Sequence, residues 1–354
     1  MGNVEKSQNT YQDRKTKRDI LLTLWLLTLV SCTSRDAYRP NASEKEPLHV
    51  VATFFPIADI VRQVGAPHVS VQTLLPPEGD LHAFAPTARQ MKLLQQAEVV
   101  FALGLEAEPF LDTMLRGLGR KRPRVVELAE GCWTLPAAAE HEHHVHLTGE
   151  HEEHEHHAHL TGEHEEHEHH AHLTGEHEEH EHQEAVDPHV WLSLSNAMRM
   201  AQNAGEALAA LDPAHAEHYQ RNASRLITEL QRLQQRLRDR AKVWRQKKFI
   251  AAHGAYRYLA KEAGIEQVAV FEPLPGVEPS ARWLRDLMRT ARREGVKVIF
   301  AAPPASSRLV EVVAADLGVP VFLLDPLERT WNRPGESYQQ RMERNIETLD
   351  RAMH

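Results

Sequence analysis

The chain has 354 residues, 42% of them apolar, with 41 Lys and Arg against 50 Asp and Glu and a formal net charge of −9. That length allows two domains of ordinary size, and the absence of a basic patch with interleaved aromatics excludes nucleic acid as a partner. Two cysteines, Cys32 and Cys132, make neither a disulfide framework nor a cysteine-rich zinc site, so any metal site must be built from His and carboxylates.

At the N-terminus a basic stretch (Arg14, Lys15, Lys17, Arg18) precedes an apolar run from Ile20 to Val30. Its 11 residues fall short of the roughly 20 that a membrane-spanning helix needs and fit the hydrophobic core of a signal peptide. The run ends in Leu29-Val30-Ser31-Cys32, which resembles a bacterial lipobox with Cys32 as the lipidated residue. An ordinary signal peptide with an incidental cysteine is the alternative. The expectation is a signal peptide over 1–31, a flexible tether over 32–47, and an extracytoplasmic protein lipid-anchored to a bacterial membrane, in the periplasm or at the cell surface.

Short β-branched-rich runs at Leu48–Phe54, Val69–Leu75, Val99–Leu103 and Val125–Leu128 predict buried strands. Helical segments near Pro56–Val64, Thr87–Gln96 and Glu108–Arg116 alternate with them, and Thr87 is placed as an N-cap. Such alternation predicts a parallel sheet. This N-terminal lobe spans 48–194 and carries an insert over 137–185.

The insert is a His-rich tract. The unit HLTGEHEEHEHHA begins at His146, repeats at His159 and returns altered at His172, a period of 13 residues. With almost nothing apolar it cannot bury enough surface to repay ordering, so disorder is expected. It holds 17 of the 25 His: His141, His143, His144, His146, His151, His154, His156, His157, His159, His164, His167, His169, His170, His172, His177, His180 and His182. Imidazole suits Zn²⁺, Cu²⁺ and Ni²⁺, and a flexible tract offers many competing ligand sets, so it should bind several ions weakly. A solvated insert amplified by repeat expansion is the alternative.

From Ser195 to about Gln246 the pattern is helical, broken only by Asp212-Pro213. From Pro213 on, Leu226, Leu230, Leu233 and Leu237 follow i, i+3, i+4 spacing, predicting an amphipathic helix of about 33 residues, roughly 50 Å long. Residues 195–246 are read as a rigid backbone helix joining two lobes. In the C-terminal lobe, 247–354, strands are expected at Lys248–Ala252, Val268–Phe271, Val296–Ala301 and Val319–Leu324. Helices are expected at Tyr256–Glu262, Ser280–Arg293, Ser306–Leu317 and Gly335–Met353, with Glu278-Pro279-Ser280 as stop and cap.

Outside the tract, His82, His189 and His253 stand at strand ends or in loops before helices, where open α/β sheets place ligands. Asp325, in Leu324-Asp325-Pro326-Leu327, is a fourth candidate at a strand end. Singly each is weak, since a lone loop His is more often exposed or hydrogen-bonded than a ligand, and Asp before Pro commonly starts a turn.

Together, in this order, the motifs resemble those of the metal-binding receptors of ABC importers for zinc and manganese, the cluster A-I (cluster 9) solute-binding family. Gly79-Asp80-Leu81-His82-Ala83-Phe84-Ala85-Pro86-Thr87 is similar to a family motif, although Leu81 stands where Pro is usual. Asp187-Pro188-His189-Val190-Trp191-Leu192, His253 to Ala260, Glu278–Ala281 and Leu324–Leu327 are similar to others. Phe300-Ala301-Ala302-Pro303-Pro304 lacks a Glu often found there.

The resemblance implies two (β/α)4-like lobes with parallel sheets, joined by one long backbone helix, with metal in the cleft between them. It implies Zn²⁺ as the transported ligand, held by His82, His189, His253 and Asp325, with an ABC permease as membrane partner and a monomeric receptor. A His as third ligand marks zinc receptors in that family, and three imidazoles with one carboxylate suit tetrahedral Zn²⁺ on chemical grounds. Asp187 could orient His189 through its second ring nitrogen or simply cap the turn at Pro188. A zinc hydrolase is disfavoured, because no HExxH motif and no evident general base accompany the ligands; a non-enzymatic role is expected. A surface zinc buffer or adhesin, or a manganese-type receptor, are the remaining readings.

Overall fold

The computed structural model describes residues 46–137, 185–272, 277–303, 307–330 and 335–354. The expected signal peptide, Cys32, the tether up to residue 45 and every His of the tract lie outside the described residues.

The first lobe alternates β1 (Leu48–Ala52), α1 (Phe55–Gly65), β2 (Val69–Thr73), α2 (Ala88–Gln96), β3 (Val99–Ala102), α3 (Pro109–Gly117) and β4 (Arg124–Glu127). Its four strands are parallel in the order β2-β1-β3-β4, with Leu48 opposite Val69 and Val50 opposite Val99. Thr87 caps α2 in a reciprocal box with Gln90. The strands end one or two residues before the apolar runs do where Leu74, Leu75, Leu103 and Leu128 continue into buried loops.

The 195–246 segment differs from the expected single linking helix. It is a hairpin of α4 (Leu194–Leu211) and α5 (Ala216–Ala241). Pro213 removes a donor, while Asp212 Oδ2 accepts from Tyr219 Oη at 2.8 Å and lies 2.6 Å from His215 Nδ1, which fixes the reversal. Small residues let the two helices approach: a Cβ on Gly205 would stand 2.9 Å from that of Ala223. Helix α5 has 26 residues, about 39 Å at 1.5 Å each. Its leucines 226, 230, 233 and 237 are at most 6% exposed, each contributing up to about 1.5–3 kcal/mol. It ends at Ala241 because Trp244 is drawn down to donate to Asp350 at 2.9 Å, and the N–H groups of Arg245 and Gln246 go to the carbonyl of Met353.

The second lobe repeats the first: β5 (Lys248–Ala251), α6 (Arg257–Ala263), β6 (Glu266–Val270), α7 (Ala281–Glu294), β7 (Ile299–Ala301), α8 (Arg308–Leu317), β8 (Val321–Leu323) and α9 (Tyr338–Met353). Its parallel order, β6-β5-β7-β8, is that of the first sheet. Ser280 caps α7 by accepting from Trp283 N–H, and Gly295, at φ 66°, ends it in the left-handed turn a side chain would disfavour. A small separate core around Phe271, Leu287 and Val310 lies under α7 and α8. The larger core runs continuously from the first sheet through the hairpin to the second.

Helix α9 returns to the first lobe. Tyr338 N–H donates to Asp59 Oδ2 at 2.8 Å and its hydroxyl to the carbonyl of Trp191 at 2.6 Å. Trp191 Nε1 donates to the carbonyl of Pro326 at 2.8 Å. These bonds tie the loop after β8 to the segment that carries His189. Among the described residues no helix is long and apolar enough to cross a membrane.

Candidate metal centre

Four side chains from four separate loops meet at the ends of the sheets: His82, His189, His253 and Glu328. His82 lies in the loop after β2, where Asp80 Oδ1 accepts its backbone N–H at 2.9 Å. Leu81, where Pro was expected, is 1% exposed and anchors this loop in the core. His189 is fully buried, one residue before a short turn at Val190–Leu192. Asp187 Oδ1 takes both its backbone N–H (3.1 Å) and its Nδ1 (2.7 Å). A carboxylate at that distance puts the proton on Nδ1 and leaves the Nε2 lone pair facing inward. His189 Nε2 is buried and has no hydrogen-bond partner among the described residues. Asp187 is itself held by Arg257, 3.2 Å away, and its carbonyl accepts from Tyr258 Oη.

His253 stands two residues after β5 ends, just before the short turn at Gly254–Tyr256. Its Nε2 lies 3.0 Å from Glu328 Oε1, and the Nε2 atoms of His189 and His82 lie 3.6 and 3.8 Å from that same oxygen. The ring centroids form a near-equilateral triangle of 5.3–5.5 Å sides. The side chains of His189, Glu328 and His253 are 0, 7 and 14% exposed, and that of His82 is 22%, so solvent reaches the cluster past His82.

Asp325 does not join them. Its two oxygens accept from Arg341 Nε (2.8 Å) and Nη2 (2.7 Å), and Oδ1 also takes the N–H of Leu327. Asn345 clasps its backbone, donating to its carbonyl and accepting its N–H. The expected fourth ligand is thus engaged with a guanidinium, and the carboxylate facing the imidazoles is Glu328, three residues on, which the sequence reading missed. What links them is Leu327, buried at φ 62°, a left-handed conformation costly for a branched side chain. The Asp325–Leu327 bond holds that turn and aims Glu328 inward. The available signal was adjacency, since Glu328 directly follows the Leu-Asp-Pro-Leu motif.

Electrostatics follow the geometry. Burial pushes the His189 imidazole down, and its bond to Asp187 offsets this only in part. At His253 burial also disfavours the proton, but the charge and hydrogen bond of Glu328 outweigh it and raise the group. Burial would raise Glu328, yet the His253 charge and hydrogen bond, followed by His82, hold it well below the usual carboxylate range. Three neutral imidazoles and one carboxylate are a donor set for a borderline divalent ion. The donor atoms lie within 4.8 Å of one another; Zn–N bonds of about 2.0–2.1 Å would draw them to about 3.3 Å.

The residues on either side of 138–184 meet. Ala137 N–H donates to the carbonyl of Ala185 at 2.7 Å, and Pro136 and Val186 form an antiparallel bridge. Ala185 stands two residues before Asp187, whose N–H donates to the carbonyl of Leu135, two residues before Ala137.

Comparison with known proteins agrees with this architecture. The chain is 29% identical over 326 residues to the high-affinity zinc uptake system protein ZnuA of Bacillus subtilis, covering 91% of this chain and 93% of that one. It is 28% identical over 333 residues to the zinc-binding lipoprotein AdcA of Streptococcus pneumoniae, covering 93% of this chain but spanning only 59% of AdcA. The crystal structure of the metal-dependent lipoprotein YcdH from Bacillus subtilis is similar at a TM-score of 0.65 and 26% identity, over 86% of this chain and 99% of that one. The family model for the periplasmic zinc-uptake complex component A, ZnuA, matches residues 50–352, and the chain belongs to that family.

Proposed function

We propose that the protein is an extracytoplasmic receptor that captures Zn²⁺ between its two lobes and delivers it to an ABC permease. The observation that carries this is the convergence of three imidazoles on one carboxylate, with His189 Nε2 buried and unpartnered among them. An unpaired buried nitrogen costs stability in the metal-free protein and becomes a bond when an ion arrives.

In this reading His82, His189, His253 and Glu328 are the ligands, and Asp187 orients His189. Zinc arrives past His82, the most exposed of the four, and replaces the hydrogen bond between His253 Nε2 and Glu328 Oε1. His82 and His189 belong to the first lobe and its return segment, His253 and Glu328 to the second, so one ion bridges both. Binding needs deprotonated imidazoles, so affinity falls as pH drops. A single carboxylate in the set favours zinc over manganese, which prefers more oxygen ligands. Lipidation at Cys32 keeps the receptor beside its permease, and the His of the tract form an accessory, weaker store.

The test is a zinc titration of three proteins: wild type, a deletion of 138–184, and His189→Ala. The deletion should keep one tight ion per chain and lose the weak ones, and His189→Ala should lose the tight one. A tight site that vanishes with the tract and survives His189→Ala would sink the reading.

A further inference from the structure

His82 and Glu328 come from loops of different lobes, and further bonds besides their own approach join those loops. Arg329, next to Glu328, pairs with Asp80 Oδ2. Thr330 N–H donates to the carbonyl of Pro77 at 3.0 Å. The other oxygen of Asp80 is the one that accepts the backbone N–H of His82. One carboxylate therefore fixes the His82 backbone and grips the neighbour of Glu328.

Besides these bonds the loop is anchored by Leu81 and by Phe84, whose ring packs on Phe110 with centroids 4.8 Å apart. Leu81 is the one buried residue between Pro76 and Thr87. A cavity of about 670 Å³ bordered by Pro76, Pro77, Glu328 and Thr330 opens on one side. A second, of about 700 Å³, bordered by His82, Glu108, Glu127 and Pro188, opens on the other. The loop has room to lift, and lifting must break the Asp80–Arg329 pair.

We propose that Asp80 and Arg329 form an interlobe latch, a positioning pair that sets how long the metal stays by holding His82 against the other three ligands. The inference rests on reading His82 and Glu328 as ligands. Neither latch residue touches the ion, so the pair governs release of any cation that fits the site, not the choice among cations. The pair is part-buried, at 28 and 36% side-chain exposure, and so is less screened than a surface ion pair. Capture proceeds past an open His82, so loss of the latch falls on the dissociation rate.

The test is zinc release from the full chain into excess chelator by stopped flow, with amide hydrogen exchange of the metal-free protein alongside. Arg329→Gln should release zinc about fivefold faster, with association changed less than about twofold. It should also raise exchange across 76–87 but not in α5. Arg329→Lys, which keeps the charge, should restore release to within about twofold of wild type. Asp80→Asn keeps the acceptor for His82 and loses the charge; it should match Arg329→Gln, and the double variant should add nothing. Wild-type release and exchange in Arg329→Gln, or additive effects in the double variant, overturn the latch. His82→Ala and Glu328→Gln check the reading beneath it. If both leave zinc affinity unchanged, the ligand assignment falls and takes the latch with it. If they abolish tight binding while Arg329→Gln is silent, the latch alone falls.

Discussion

Two carboxylates three residues apart on the loop after β8 are both buried, and their surroundings differ completely. Asp325 meets Arg341 through two hydrogen bonds, takes the N–H of Leu327, and has its backbone clasped by Asn345. Glu328 meets three imidazoles, only one of them at 3.0 Å. In the first, both carboxylate oxygens and the backbone on either side of them have bonding partners. The second is under-satisfied, with a buried nitrogen left over beside it. A buried polar cluster whose bonds are complete holds a fold together; one whose bonds are incomplete is where a ligand goes.

Exchanging the two roles gives the largest expected effects. Asp325→Asn removes the charged carboxylate that bonds both Nε and Nη2 of the buried Arg341 and should destabilise the protein by about 3–5 kcal/mol. Its zinc affinity, measured where the variant is still folded, should fall by no more than about tenfold, since no ligand is lost. Glu328→Gln should do the reverse: stability within about 1 kcal/mol of wild type and zinc affinity down by at least about a hundredfold. Denaturant unfolding and competition with a chelating dye measure the two quantities separately. A zinc loss in Asp325→Asn as large as that in Glu328→Gln would erase the distinction.

The same contrast explains what could be read from the sequence. That His82, His189 and His253 come together was legible because each sits in a motif with its own spacing at a strand end. The choice between Asp325 and Glu328 was not. It depends on a positive φ at Leu327 and on Arg341, which lies 16 residues away on α9. A strand-end Asp before Pro has the same local pattern whether it ligates or braces. The alternation of strands and helices was plain, and both parallel sheets follow from it. The hairpin was missed because Asp212-Pro213 reads equally as a kink or a reversal. The small stripe Ala197, Ala201, Ala204 and Gly205, buried against α5, is what decides for reversal.

A third buried carboxylate sharpens the comparison. Glu108 has neither a guanidinium nor imidazoles; Thr53 Oγ1 and the N–H groups of Leu103 and Gly104 donate to it. Burial, with Glu127 nearby, pushes it up to about 7 against those bonds. Between its unfolded value of 4.5 and about 7 the folded protein holds more of this proton than the unfolded chain. Stability from this group is therefore full below that window and lost as pH rises through it, by about 3 kcal/mol at most. Glu108→Gln should flatten the stability profile over that range in denaturant unfolding at a series of pH values. An unchanged slope would mean that neutral donors alone keep the anion.

The smallest effect concerns Asp187, which combines features of both kinds. Like Asp325 it is buried and partnered by an arginine, Arg257 at 3.2 Å; like Glu328 it touches an imidazole, but at the outer nitrogen of His189. Burial would raise it, and the hydrogen bond and charge of His189, with Arg257, bring it below its ordinary value. In the proposed site its charge would make His189 Nε2 a better donor without contacting the ion. Asp187→Asn keeps an acceptor for Nδ1–H and the turn before Pro188 but removes the charge, so zinc affinity should fall about tenfold. Competition titration reads this directly. No loss would reduce Asp187 to a turn cap, and a loss as deep as that of Glu328→Gln would mean that the orientation of His189, and not its mere presence, holds the site together.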